Sequence, residues 1–166
     1  MKILKVAAVL VAVLVLTVGT AFVAARFNDG PVGMLPGGPL RSGPIVPYFI
    51  IAWSFARNVE TIEMQLADDD TSRTTWFIEH EGRGFIPASV SFPPGKNWYL
   101  RADGSKAWLR IEGKRHEVRL DRFEDTAVIA ELGKKVERKY GRAPGGSGGA
   151  WWFEVESIAP MPTVDF

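Results

Sequence analysis

The residues best suited to chemistry lie in one stretch, Ser89-Val90-Ser91-Phe92-Pro93-Pro94-Gly95-Lys96-Asn97-Trp98. Its two prolines stiffen the approach, Gly95 lets backbone come close to a ligand, and Lys96 supplies a compact positive charge. Trp98 offers a flat ring for stacking, or it fills a core. A loop of this kind between barrel strands suits an aromatic cofactor with an anionic tail; the plainer expectation is a rigid connection.

Other chemistry is thinly supplied. The chain has no cysteine, which removes disulfides, thiolate metal sites and cysteine nucleophiles together. His-Glu-x-x-His does not occur, so a zinc hydrolase lacks its signature. The Gly-x-Ser-x-Gly spacing occurs only inside the glycine run 145–149, which is not read as a nucleophile elbow, so a serine hydrolase of the α/β type is not expected. The two histidines, His80 and His116, are of a type that carries protons or binds haem or metal, but surface positions are expected for both. Asp68-Asp69-Asp70 reads as a solvated turn, because adjacent carboxylates point apart and no EF-hand spacing follows. The run Gly145-Gly146-Ser147-Gly148-Gly149 lacks the following lysine of a phosphate loop and is expected to be a plain flexible loop. No metal site is expected.

The elements that must carry these residues are mostly strands. Ile62, Met64 and Leu66 alternate with Glu63 and Gln65, the pattern of a half-buried strand. Thr74 to Ile78 is β-branched and aromatic, and Glu81-Gly82-Arg83-Gly84 turns it into Phe85–Ala88. Trp98 to Gly104 is a short helical turn or tight connection. A second hairpin joins Ala107–Ile111 to Arg115–Leu120 through Glu112-Gly113-Lys114. One soluble helix follows, with Asp125 as N-cap and Val128, Ile129, Leu132, Val136 and Tyr140 on one face. Its Lys134, Lys135, Arg138 and Lys139 suit the C-terminal end of the helix dipole. Trp151 to Ile158 is a final strand. Five or six strands with one long helix predict a mainly-β α+β domain, a small antiparallel barrel with helical decoration.

This domain is preceded by a hydrophobic segment. From Val6 to Ala25 only Thr17, Gly19 and Thr20 interrupt the apolar run. About 20 residues at about 1.5 Å each match a bilayer's hydrocarbon core of about 30 Å. Lys2 and Lys5 precede it and Arg26 follows, a balance that holds the N-terminus in the cytoplasm and sends the domain to the non-cytoplasmic side. Val23-Ala24-Ala25 also has the small residues of a signal-peptide cleavage site, so residues 1–26 are a membrane anchor or a signal peptide. Beyond it, 17 basic residues stand against 19 acidic ones, with no electrostatic footprint for nucleic acid. Residues 27–58 read as a Gly/Pro-rich linker and a short apolar segment (Tyr48 to Trp53), which suits a membrane interface or packing on the barrel. Residues 59–166 hold the barrel.

Taken in order, Arg73 before the second strand, then Lys96-Asn97-Trp98-Tyr99 and Leu100-Arg101-Ala102 before the hairpin, form a pattern. Over about residues 61–158 it resembles the split β-barrel flavin and deazaflavin proteins, in particular the deazaflavin-dependent nitroreductases, related at fold level to the pyridoxamine phosphate oxidases. The resemblance implies a split barrel, often a homodimer, holding FMN or a deazaflavin coenzyme. Arg73 and Lys96 would contact the phosphate, Ser89 and Ser91 would add polar contacts, and Asn97 and Trp98 would belong to the same site. Hydride transfer for a nitroreductase or quinone reductase reaction would follow, the protein orienting the cofactor. Where that family has Gly-Arg-Lys-Ser-Gly, this chain has Ala67-Asp68-Asp69-Asp70-Thr71. Acid beside a phosphate is repulsive, so a second expectation stays open: an envelope domain without cofactor or catalysis, binding a lipid, a small apolar ligand or a protein.

Overall fold

A computed structural model describes residues 2–46, 52–91 and 96–158. Phe92 to Gly95, with the two prolines of the loop, and most of the apolar run from Tyr48 lie outside the described residues.

Helix α1 (Lys2–Ala25) is apolar on every face beyond Lys5, with mean hydropathy 2.7 over an 18-residue stretch, and is long enough to cross a bilayer. A signal sequence would share these properties.

The domain is built on one sheet of seven antiparallel strands: β1 (Thr61–Leu66), β2 (Arg73–Trp76), β3 (Ile78–His80), β4 (Arg83–Ser89), β5 (Ser105–Ile111), β6 (Lys114–Phe123) and β7 (Ala150–Ser157). Their order across the sheet is β2-β1-β5-β6-β7-β4-β3. The two outermost strands are consecutive in the chain and separated only by Phe77, so the sheet curls into a nearly closed barrel. The β-branched run that the sequence suggests as one strand breaks at Phe77. Before it the strand pairs with β1, and after it with β4. Such a change of partner is how a small barrel turns a corner.

Alternation along the strands fills the interior with Ile62, Met64 and Leu66 of β1, Ala107, Leu109 and Ile111 of β5, Val118 and Leu120 of β6, and Phe153 and Val155 of β7. The hairpin turns are tight. Glu81-Gly82 and Glu112-Gly113 all have positive φ, the backbone of a two-residue turn matched to strand twist. The first turn is therefore shorter than the sequence suggests, and Gly84 already lies in β4. A Cβ there would come 2.6 Å from the Phe77 ring, which explains the glycine.

Helix α2 (Thr126–Tyr140) covers the outside of β3, β4 and β7. The Asp125 carboxylate accepts from the Ala127 and Val128 amides at 2.9 and 3.1 Å, and Gly141 closes the helix at φ 70°. Leu132 and Val136 are fully buried against Ile78, Phe85 and Trp152. Two of the basic residues expected to serve the helix dipole instead reach the barrel. The Lys135 ammonium donates to the Glu79 carbonyl at 3.0 Å. The Lys139 ammonium donates to the carbonyls of Val59 and Phe77, and the Tyr140 hydroxyl to those of Glu60 and Phe77. Carbonyls left open where the strand changes partner are thus satisfied from the helix.

Residues 27–46 run over the outer face of β1, β5 and β6. Arg110 is held between Glu63 and Asp29, Leu40 donates its amide to the Gln65 side chain at 2.8 Å, and Arg115 donates to the carbonyls of Leu40 and Gly43. The Gly38 amide donates to the Ala25 carbonyl at 3.2 Å, which ties this segment to the end of α1. At the far end of the barrel a 3-10 turn, Trp53–Ala56, packs Trp53 into the interior, where its indole donates to the Val155 carbonyl at 3.0 Å.

Candidate functional site

The topology gathers one end of the barrel from distant parts of the chain. Antiparallel pairing brings the end of β1, the start of β2, the end of β4, the start of β5, the end of β6 and the start of β7 to the same rim. The β4–β5 connection, which carries Lys96, Asn97 and Trp98, crosses this rim. Arg73 opens β2 opposite inward-facing Met64, and Arg122 follows inward-facing Leu120 on β6. Two arginines therefore occupy the last inward positions of their strands.

Trp98 plugs this end. It is buried at 2% exposure and starts a single 3-10 turn (Trp98–Leu100). The Arg73 guanidinium lies 5.4 Å from its ring centre and the Lys96 ammonium 5.6 Å. Tyr99 and Phe153 pack against Trp98, and Trp151 packs against Tyr99. The Arg122 guanidinium stacks on Trp151 at 3.6 Å. The result is a rim of cations laid on aromatic rings.

Its electrostatics depend on Asp69. This carboxylate, in the loop expected to be merely solvated, accepts from Arg73 at 2.9 Å and from Arg101 at 2.8 Å. It is one negative charge shared by two arginines. Burial and the neighbouring Arg73 charge pull the Lys96 ammonium down to about pKa 8. Burial also lowers Arg73, with Asp69 opposing and Arg101 adding to the fall. The Arg73 Nε and the Arg122 Nε and Nη1 are buried without a hydrogen-bond partner.

The sequence-predicted residues divide into two groups. Arg73, Lys96 and Trp98 come together, and exposed Asn97 adjoins them, its carbonyl accepting from the Leu100 amide at 3.1 Å. Ser89 shares the outward face of β4 with Phe85, which lies under α2. Ser91 donates to the Gly145 carbonyl at 3.2 Å, and a side chain at Gly148 would collide with it at 2.5 Å. The glycine run thus makes room for Ser91 to approach. Asp69, Arg122 and Trp151 were not singled out by the sequence. Continuing the β6 alternation of Val118 and Leu120 by one step would have placed Arg122 inward.

Arg73 and Lys96 are of the residue types that could hold a phosphate, although Asp69 already pairs with Arg73. The Trp98 ring does not fit a stacking platform, because it is buried with cations over it. The histidines lie elsewhere, and both are buried rather than at the surface, His80 at 7% and His116 at 5% exposure. His80 faces α2, with Glu131 at 3.4 Å, while His116 points into the far end of the barrel beneath Trp53 and Phe55. Burial and Lys114 hold His116 below the usual histidine range. Among the described residues no group of three His, Cys, Asp or Glu side chains could hold a metal ion. An open groove of about 550 Å³ lies near the other end, between Met34, Thr61 and Gly113, and its Glu63 and Arg110 are already ion-paired.

The chain matches no known family model and no curated protein.

Proposed function

We propose that this is a membrane-tethered split-barrel protein whose cationic rim binds a phosphate-bearing ligand, with FMN or a deazaflavin coenzyme as the first candidate. The carrying observation is that Arg73 and Lys96, the two residues that the family resemblance assigns to a phosphate, meet over the same Trp98 ring. A bound anion would offset the burial and the Arg73 repulsion that together depress Lys96. Such a cofactor would supply hydride transfer for a nitroreductase or quinone reductase reaction. The chain's part would be to hold the anionic tail with Arg73 and Lys96. The full chain, purified in detergent, should change the absorption spectrum of FMN or of the deazaflavin coenzyme on binding. No binding of either at tens of micromolar defeats the cofactor reading.

A second reading is favoured by Asp69, which already occupies both Arg73 and Arg101. In it the same fold is a non-catalytic envelope domain, and the rim takes the anionic part of a lipid or other small ligand. Binding of inorganic phosphate or an anionic lipid headgroup, without binding of either cofactor, separates the two.

A further inference from the structure

Arg122 has no role in the resemblance, and only its backbone belongs to the barrel's hydrogen-bonded frame, paired opposite Phe153. Its backbone amide is held by the Asp103 carboxylate at 2.8 Å, which fixes the end of β6. Its side chain turns inward from that fixed point, 3.6 Å over Trp151 and 6.0 Å from Phe153. Two of its guanidinium nitrogens, Nε and Nη1, are buried and make no hydrogen bond. Glu124 stands 3.6 Å from Nε, an ion-pair distance too long for a hydrogen bond, and its side chain is largely exposed, whereas that of Arg122 is 24% exposed. Buried N–H groups left without an acceptor are costly, and neither stacking on a ring nor an exposed ion pair at 3.6 Å satisfies them.

We infer that Arg122 and Trp151 form a second anion contact of the same rim, where a carboxylate or phosphate of the ligand is seated against the indole. This rests on the rim being the ligand site. It extends that site from Arg73 and Lys96, beside Trp98, across Tyr99 to β6 and β7. Trp151 keeps the guanidinium flat and preorganised, and the missing hydrogen bonds are those the anion would supply. A purely structural role, a cation closing an aromatic stack, predicts no dependence on anions.

The test uses the full chain in detergent, with 1-naphthyl phosphate and inorganic phosphate as calorimetric probes. Arg122→Gln should weaken binding of naphthyl phosphate about tenfold or more, while Arg122→Lys retains part of the affinity. Arg73→Gln reports on the first contact independently. Should Arg73→Gln weaken binding while both Arg122 variants match the parent, the second contact is refuted and the rim site stands. Should the parent protein bind neither probe, the rim reading itself fails, and the inference with it. If Arg122→Gln does not melt cooperatively, Arg122→Lys decides: an affinity equal to the parent's refutes the proposal.

Discussion

The Asp69 carboxylate lies 2.9 Å from the Arg73 guanidinium and is also shared with Arg101. This pair sets how much positive charge the rim presents. Asp69→Asn should strip the counterion from a mostly buried arginine and destabilise the fold by about 1–3 kcal/mol. The same change should tighten binding of inorganic phosphate, because the rim gains a net positive charge. Thermal melts and calorimetry on one preparation read both effects; weaker phosphate binding would contradict the assignment of Asp69 as the competing anion.

Lys96 gives the rim a pH signature. With its ammonium at about pKa 8, phosphate affinity should fall as pH rises from about 7 to 9. The stability effect has the opposite sign. Below pH 8 the native state holds this proton at a cost, whereas the unfolded chain keeps it comfortably up to about pH 10.4. The unfolded state therefore binds more protons between these values, and the contribution of Lys96 to stability rises with pH across them. Lys96→Met should flatten both dependences. Denaturant titrations from pH 7 to 10 would expose a parent and variant with parallel profiles, which would remove Lys96 as the titrating group.

Helix α2 should be structural through its last turn. Tyr140→Phe keeps the stack on Trp76, whose rings are 4.2 Å apart, and removes only the hydroxyl's bonds to Glu60 and Phe77. The expected loss is about 1 kcal/mol, and adding Lys139→Met should roughly double it by leaving the Phe77 carbonyl open. Urea unfolding followed by tryptophan fluorescence measures this. A double variant as stable as the parent would show that water serves those carbonyls equally well.

The anchor reading of α1 is tested by charge. Val13→Arg puts a cation near the helix centre, at a cost of about 2.5–3.5 kcal/mol for insertion. The parent should resist carbonate extraction from membranes, and the variant should shift toward the soluble fraction. N-terminal sequencing of the membrane-bound protein distinguishes an uncleaved anchor from a removed signal.

Local patterns carried much of the fold. The Glu112-Gly113 hairpin, the Asp125 cap and the face of α2 were all legible, because each rests on residues close in sequence. The break at Phe77 was not, since Thr74 to Ile78 is uniformly strand-forming and only barrel closure demands a corner. Lys139 was assigned to the helix dipole because its carbonyl partners lie 80 and 62 residues upstream in the chain. For the candidate site, a motif singled out Arg73, Lys96 and Trp98, which the fold brings together, while Arg122 was not singled out although the alternation of β6 points it inward. Asp69 was misjudged for a related reason. A run of three aspartates says nothing about which one two distant arginines will claim.

The corner at Phe77 also bears on how the molecule fails. One short stretch supplies both margins of the sheet, so a single lapse there frees two unpaired rows of backbone at once. Such rows invite pairing between molecules. Loss of α2's grip would therefore be felt less as a loosened helix than as a ring sprung open, and the symptom to expect is self-association.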